Sequence, residues 1–245
     1  MAAEVSIVVV SNNEKKLNSM LLASLARQKG VKYELITIDG NSFNSASSAY
    51  NEGAKKANCD FILFVHHDIV FTSDDALSKI LEYKSLLNTN YAVLGVAGVY
   101  VDQDGEKHRL MTIKNGPEKK TWSYYELTEP QEVFSVDECA FLITRNMILK
   151  YQFGDLGNTW HLYAVELCLH LKKDGHKVGV IPADLWHCSL GVLNSDFFKR
   201  ARVLAQKYEK IFPIIYTTCI TIDTTEFDWK FKLLKTEIKR KIFNT

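Results

Sequence analysis

The sequence predicts an α/β domain built on a mainly parallel sheet with helices on both faces. Three observations carry this reading. Unbroken β-branched runs of strand length recur, apolar stripes at helical spacing lie between them, and the two alternate from Val5 to Val99. Strands buried on both faces read as continuous apolar runs. Alternation of strand and helix favours right-handed parallel crossovers in a doubly wound sheet.

The first element, Val5 to Val10 (VSIVVV), is such a run and ends in the polar cluster Ser11-Asn12-Asn13-Glu14. Leu17, Leu21, Leu22 and Leu25 then recur at helical spacing after a helix-start signal. Tyr33 to Asp39 (YELITID) reads as a second strand closed by Gly40, and Ala46 to Ala57 as a second helix with Ala49, Gly53 and Ala57 on one stripe. Phe61 to Val65 is a third strand running straight into His66-His67-Asp68. Asp74 to Leu87 reads as a helix and Tyr91 to Val99 as a fourth strand.

Past Tyr100 the rhythm changes. Asp102 to Pro130 is polar and turn-rich, with Trp122, Tyr124 and Tyr125 embedded, and reads as a long excursion of the kind that often carries function. Val133 to Thr144 resumes as a strand, Ala164 to Lys173 as a helix, Lys177 to Ile181 as a short strand and Ser195 to Lys210 as a helix. Residues 1–215 are expected to form one domain, with 216–245 as a C-terminal helical appendage.

Composition narrows the function classes. The 245 residues carry 30 Lys+Arg against 29 Asp+Glu and are 47% hydrophobic, the profile of an ordinary globular chain. A net charge of +1 gives no global reason to expect nucleic-acid binding. Five scattered cysteines without CxxC spacing point to reduced, mostly buried thiols. The N-terminus lacks the basic and long apolar regions of a signal peptide, and no apolar run is long enough to span a bilayer, so a cytoplasmic protein is expected.

In an open parallel sheet, ligands sit outside the carboxyl ends of the strands. Ser11 to Glu14, Asp39 to Asn44 and His66 to Asp68 end three consecutive strands, so all three segments should face one crevice. Neither GxxxxGK[ST] nor GxGxxG is present, which disfavours a P-loop or Rossmann nucleotide site. Asp39 could accept hydrogen bonds from a base or ribose, and Asp68 could reach a diphosphate through Mg²⁺ or Mn²⁺.

The order VSIVVVSNNE, ELITIDGNS and SAYNEGAKKANCDFILFVHHDI resembles the nucleotide-binding half of a family 2 glycosyltransferase with the GT-A fold. The resemblance implies a mixed, mainly parallel sheet flanked by helices. It also implies a nucleoside-diphosphate sugar donor and a divalent cation. Ser11, Asn12, Glu14, Asp39, Asn41 and Asn51 would then stand on the donor side. His66-His67-Asp68 takes the place of the family's Asp-x-Asp and is similar to a branch with His-x-Asp. Asp68 keeps the position of the metal-facing carboxylate, while His66 and His67 fall among the donor-binding residues; His66 ligates the metal, contacts the ribose or packs.

The resemblance extends through VDECAFLITR and WHLYAVELCLHLKKDGHKVGVIP to WHCSLG, over about residues 4–195. The family's usual Glu-Asp pair aligns with Tyr163 and Ala164, neither of which can take a proton at neutral pH. Glu166 is the nearest acid and the expected base, with Asp137 or Glu138 in reserve. His187 is expected either as a late metal or diphosphate contact or as a histidine packed beside Trp186. One base and direct displacement would invert the anomeric centre. The acceptor would be a glycan or lipid-linked glycan. Competing readings are a catalytically degenerate member that binds nucleotide or glycan, and a nucleotidyltransferase on a related fold.

The tail is a separate electrostatic object. Residues 230–245 hold six basic side chains against Glu237, a net +5 that leaves −4 on the remainder. Phe227, Phe231, Leu234, Ile238 and Ile242 share its apolar stripe, so residues 227–243 read as a basic amphipathic helix. Such a helix either packs on the domain or lies on an anionic membrane surface, here the inner face.

Overall fold

A computed structural model describes residues 2–191 and 193–225. Its centre is a seven-stranded sheet in the order β2 (Tyr33–Asp39), β1 (Val5–Ser11), β3 (Phe61–His66), β11 (Ala140–Thr144), β5 (Val93–Gly95), β12 (Val178–Val180) and β9 (Gln131–Val133). β1 runs parallel to β2 and β3, and β12 parallel to β5; β11 and β9 run against their neighbours. The sheet is therefore mixed and mainly parallel.

Both faces of this sheet are covered, which explains the unbroken apolar runs. Val8, Val10, Ile62 and Phe64 point into one core, against the helices α2 (Ala46–Lys56), α4 (Arg145–Tyr151) and α5 (Tyr163–Lys173). Val5, Ile7, Val9, Leu63 and Val65 point into the other, against a first helix, α1, over residues 14–25 and against α3 (Ala76–Glu82). The leucine stripe of α1 is apolar through Leu17, Leu21 and Leu25, and its middle, Leu17–Leu22, is wound as a π-helix. Asn13 caps this helix by accepting from the Lys16 N–H at 3.0 Å.

Gly53 shows how tightly α2 meets the sheet. A Cβ at this position of the helix would lie 2.4 Å from Val8 Cγ1 of β1, too close without a shift of one element. Gly53→Ala should therefore cost about 1–3 kcal/mol of stability, read as a lower urea midpoint with an unchanged slope.

Two short sheets flank the main one. β10 (Ser135–Val136), β6 (Ala97–Val101) and β7 (Lys107–Met111) form the first; β4 (Ile69–Phe71), β13 (Leu185–His187) and β8 (Ile113–Asn115) form the second. Three expectations change here. The single strand expected over Tyr91 to Val99 is broken at Val96, whose N–H turns to the Ala140 carbonyl, so β6 leaves for another sheet. The excursion from Asp102 to Pro130 contains β7 and β8. The strand expected over Val133 to Thr144 is three strands, with Asp137 and Glu138 in the gap between β10 and β11. That gap takes both acids off the apolar strands, although the Glu138 carboxyl stays buried there.

The helix α6 (Ser195–Tyr208) and the hairpin β14 (Ile214–Tyr216) with β15 (Thr221–Asp223) build a third core around Leu204, Ile215 and Ile222. The expected division between residues 215 and 216 thus falls inside β14, and the chain to Thr225 continues the domain. The basic amphipathic helix expected over 227–243 lies outside the described residues. No helix among the described residues is long and apolar enough to cross a membrane. All five cysteines are free thiols, and Cys59, Cys139 and Cys168 are buried.

Candidate functional site

The carboxyl ends of β1, β2 and β3 open on one cleft of about 310 Å³, lined by Asn12, Lys16, Gly40, Tyr50, His66, His67, Asp68, Trp160, Tyr163 and Ser189. Three histidine and aspartate side chains gather at its floor. His66 ends β3, Asp68 follows in the turn to β4, and His187 ends β13. The antiparallel register of β13 on β4 sets His187 opposite Ile69, and the Cys188 N–H donates to the Asp68 carbonyl at 3.1 Å. His187 Nε2 then lies 3.2 Å from Asp68 Oδ1 and 3.5 Å from His66 Nδ1.

One donor atom from each of His66, Asp68 and His187 can be chosen so that all lie within 4.8 Å of one another. Two imidazoles and a carboxylate form a borderline nitrogen–oxygen set that fits Mn²⁺ better than Ca²⁺. Burial alone would raise the Asp68 carboxyl. The His187 hydrogen bond and charge, with His66 behind them, instead hold it well below the usual carboxylate range. Burial, with His187 alongside, pushes His66 down to about 4 and keeps its imidazole neutral, as a ligand must be. His66 Nε2 pairs with the Tyr163 hydroxyl at 3.1 Å, which fixes its ring. Tyr163 stacks on Tyr50 at 5.0 Å, and burial holds both phenols well above their ordinary range.

The remaining donor-side residues divide. Asn12 lines the cleft, and Ser11 Oγ sits 3.0 Å from His67 Nδ1 beneath it. Asp39 is exposed at the rim. Its carboxylate accepts from the Asn41 N–H, from Asn41 Nδ2 and from Ser42 Oγ, each at 3.0 Å, which lowers its pKa and shapes the loop carrying Gly40. Glu14 is exposed in the first turn of α1 and is not among the lining residues. Asn51 does not line the cleft either. Its amide donates to the Phe153 carbonyl and accepts from the Phe153 N–H, both at 2.9 Å, tying α2 to the chain after α4.

The acids on the other side divide as sharply. Glu166 is fully buried, accepts from Lys207 Nζ at 2.6 Å, from the Tyr208 hydroxyl at 2.9 Å and from the Gly154 N–H at 2.8 Å, and lines neither the cleft nor the cavity beside it. Its expected role as base gives way to a structural one, joining α5 to α6. A Cβ on Gly154 would meet its Oε1 at 2.3 Å, so the loop is built around this carboxylate. Glu166→Ala should cost about 3 kcal/mol, the low end for breaking a buried pair, because Lys207 keeps 41% of its side chain in water and can escape. The expected readout is a depressed melting temperature with undiminished turnover of the folded fraction.

Asp137 and Glu138 do reach a site. They line a second cavity of about 400 Å³, with Arg109, Trp122, His161, Thr218 and others, which shares His66, Trp160, His187 and Ser189 with the cleft or its floor. Asp137 accepts from Thr218 Oγ1 at 2.6 Å and from the Cys139 N–H at 3.1 Å. Glu138 faces the backbone N–H groups of Leu162, Tyr163 and Ala164 at the start of α5, while its Oε1 is buried without a hydrogen-bond partner among the described residues. Leu162 takes a left-handed conformation there, φ 66°, unusual for a leucine and a store of strain beside the site. Burial, with the Asp137 charge beside it, raises the Glu138 carboxyl well above its ordinary range.

Sequence reasoning missed Lys16, Tyr50, Trp160, Ser189 and Arg109. Lys16 had a readable signal, a cation in the first turn after β1. The others are placed by contacts distant in sequence.

Residues 6–212 match the family described as "Glycosyltransferase like family". A protein of Fuscovulum blasticum described as ATP synthase subunits region ORF 6 is 23% identical over 190 residues, 75% of this chain and 73% of that protein. Among solved structures, residues 1–349 of S. aureus TarS in complex with UDP-GlcNAc align at a TM-score of 0.55 and 14% identity, over 82% of this chain and 65% of that one. GalNAc-T7 with UDP, GalNAc and Mn²⁺ aligns at 0.57 and 12%, over 82% of this chain and 47% of that one. The chain thus spans less than two-thirds of either solved chain. The strand order, the cleft at the carboxyl ends of β1 to β3 and the match over residues 6–212 agree: the chain belongs to this glycosyltransferase-like family and has the GT-A fold.

Proposed function

We propose that this chain transfers a sugar from a nucleoside diphosphate to the hydroxyl of an acceptor, with the donor in the cleft and the acceptor in the adjoining cavity. One observation carries the reading: both depressions are lined by His66, Trp160 and Ser189, so two substrates would meet beside the His66–Asp68–His187 cluster. The uridine nucleotides bound to TarS and GalNAc-T7 make UDP the first donor to try.

His66, Asp68 and His187 would hold a divalent cation. When bound, the ion supplies Lewis-acid neutralisation of the charge that develops on a leaving diphosphate. Lys16, 3.8 Å from Asp68, would add a second positive charge on the donor side. On the acceptor side, Glu138 lines the cavity, and its carboxylate, once ionised, would accept the proton of an attacking hydroxyl; burial raises its pKa, so on this reading turnover climbs as pH rises. The family's acid at the start of the helix, replaced here by Tyr163 and Ala164, is on this reading supplied from the β10–β11 gap. A single base and direct displacement would invert the anomeric centre.

The test is turnover of UDP-, GDP-, CDP- and dTDP-sugars with Mn²⁺, read as nucleoside diphosphate released. Cation-dependent turnover of one donor class is expected. No turnover of any donor would leave a nucleotide- or glycan-binding module.

A further inference from the structure

The cavity carries charge that the donor chemistry does not use. Side chains alternate across a strand, so Lys107, Arg109 and Met111 share one face of β7, and Arg109 and Met111 line the cavity. The other face is spent on packing: Leu110 is fully buried, and His108 lies 3.9 Å from the Tyr124 ring and 2.6 Å from Asp102. Among the described residues, no carboxylate lies within ion-pair distance of Lys107 or Arg109. Of the two acids of the cavity, Asp137 is engaged by Thr218 and the Cys139 N–H, and burial favours the neutral form of Glu138.

Lys107 is half-buried, and burial together with the Arg109 charge lowers its pKa. Two like charges side by side, one of them partly desolvated, repel each other, and an anion bound between them would relieve that repulsion. That anion is not the donor's diphosphate, because neither residue lines the cleft. Beside them, Trp122 and Trp160 line the cavity with 41% and 42% of their surfaces exposed, which leaves ring area for a ligand. The C–H face of a pyranose is complementary to the electron-rich face of an indole.

We propose that the acceptor is an anionic saccharide, its sugar held at Trp122 and Trp160 and its phosphate or carboxylate by Arg109, with Lys107 adding positive charge from just outside the cavity lining. This rests on the transferase reading and adds the acceptor's chemical class. Arg109 supplies the planar fork that matches either anion, and Lys107 adds charge from the same strand face.

The test uses the full chain loaded with UDP and Mn²⁺ and titrated calorimetrically with glucose, glucose 6-phosphate and glucuronic acid. At least one charged sugar is expected to bind about tenfold or more tightly than glucose, the size of one charge-assisted hydrogen bond. Which of the two gains more separates phosphate from carboxylate. The preference should weaken with added salt and vanish in Lys107→Met/Arg109→Gln, while Arg109→Lys alone retains part of it. Equal affinities for the three sugars would overturn the proposal. So would a preference that survives the double variant, or inorganic phosphate binding as tightly as glucose 6-phosphate. Failure of UDP to bind, visible before any sugar is added, would instead count against the donor reading. Unchanged UDP affinity and melting temperature in the variants exclude misfolding as the cause of a lost preference.

Discussion

Asp68→Asn should lower sugar transfer about a thousandfold, the ~4 kcal/mol associated with removing a group that stabilises developing charge. The substitution keeps the volume of a side chain that is only 4% exposed and removes the one anion between His187 and Lys16. The fold should survive, because the β4–β13 pairing that assembles the cluster is made by backbone groups. Cation-dependent nucleotide affinity should fall with turnover. The pH dependence has a definite sign. A carboxylate held below its ordinary pKa stabilises the fold above that ordinary value and loses the contribution as pH falls through the lowered one. Wild type should therefore lose this contribution only in strong acid, and Asp68→Asn should lack that part of the acid transition. Circular dichroism melts across the acid range, run beside the turnover assay, check both halves.

Glu138→Gln should do two opposite things. Turnover should fall about 10²- to 10⁴-fold, the range for losing a general base, with nucleotide affinity unchanged because the side chain stands in the second cavity. Stability should rise. An acid whose folded pKa is raised keeps its proton in the fold while the unfolded chain releases it, so stability declines as pH climbs between the two values. Glutamine has no proton to release, and each kcal/mol recovered near neutral pH should raise the melting temperature by about 2–4 °C. A loss of activity coupled to a gain in stability is the signature of a strained functional group. A structural glutamate would give the reverse, as expected for Glu166.

Glu138 and Glu166 also show where the sequence is legible and where it is not. The first and third strands announce themselves because Val5 to Val10 and Phe61 to Val65 are buried on both faces. The His-His-Asp segment is readable because it ends one of those strands. Its partnership with His187, 121 residues beyond His66, depends on β4 and β13, three-residue strands too short to show a period. Glu166 was the nearest acid to Tyr163 by count. Three residues along a helix is about 4.5 Å of rise, enough to carry its carboxylate past the site and into contact with Lys207 and Tyr208. Asn51 follows the same logic, since its place on α2 is governed by the Phe153 backbone. Arg109 was hidden inside a polar stretch whose alternation, Lys107, Arg109 and Met111 on one face and His108 and Leu110 on the other, becomes a strand pattern only once the cavity is known.

The most direct test is a calorimetric titration of UDP, GDP, CDP and dTDP into the full chain, with and without Mn²⁺, repeated on Asp68→Ala. One nucleotide should bind, Mn²⁺ should tighten it, and Asp68→Ala should abolish the tightening. Nucleotide binding that ignores both the cation and Asp68, or none at millimolar ligand, would contradict the assignment of the cleft and of the His66–Asp68–His187 cluster.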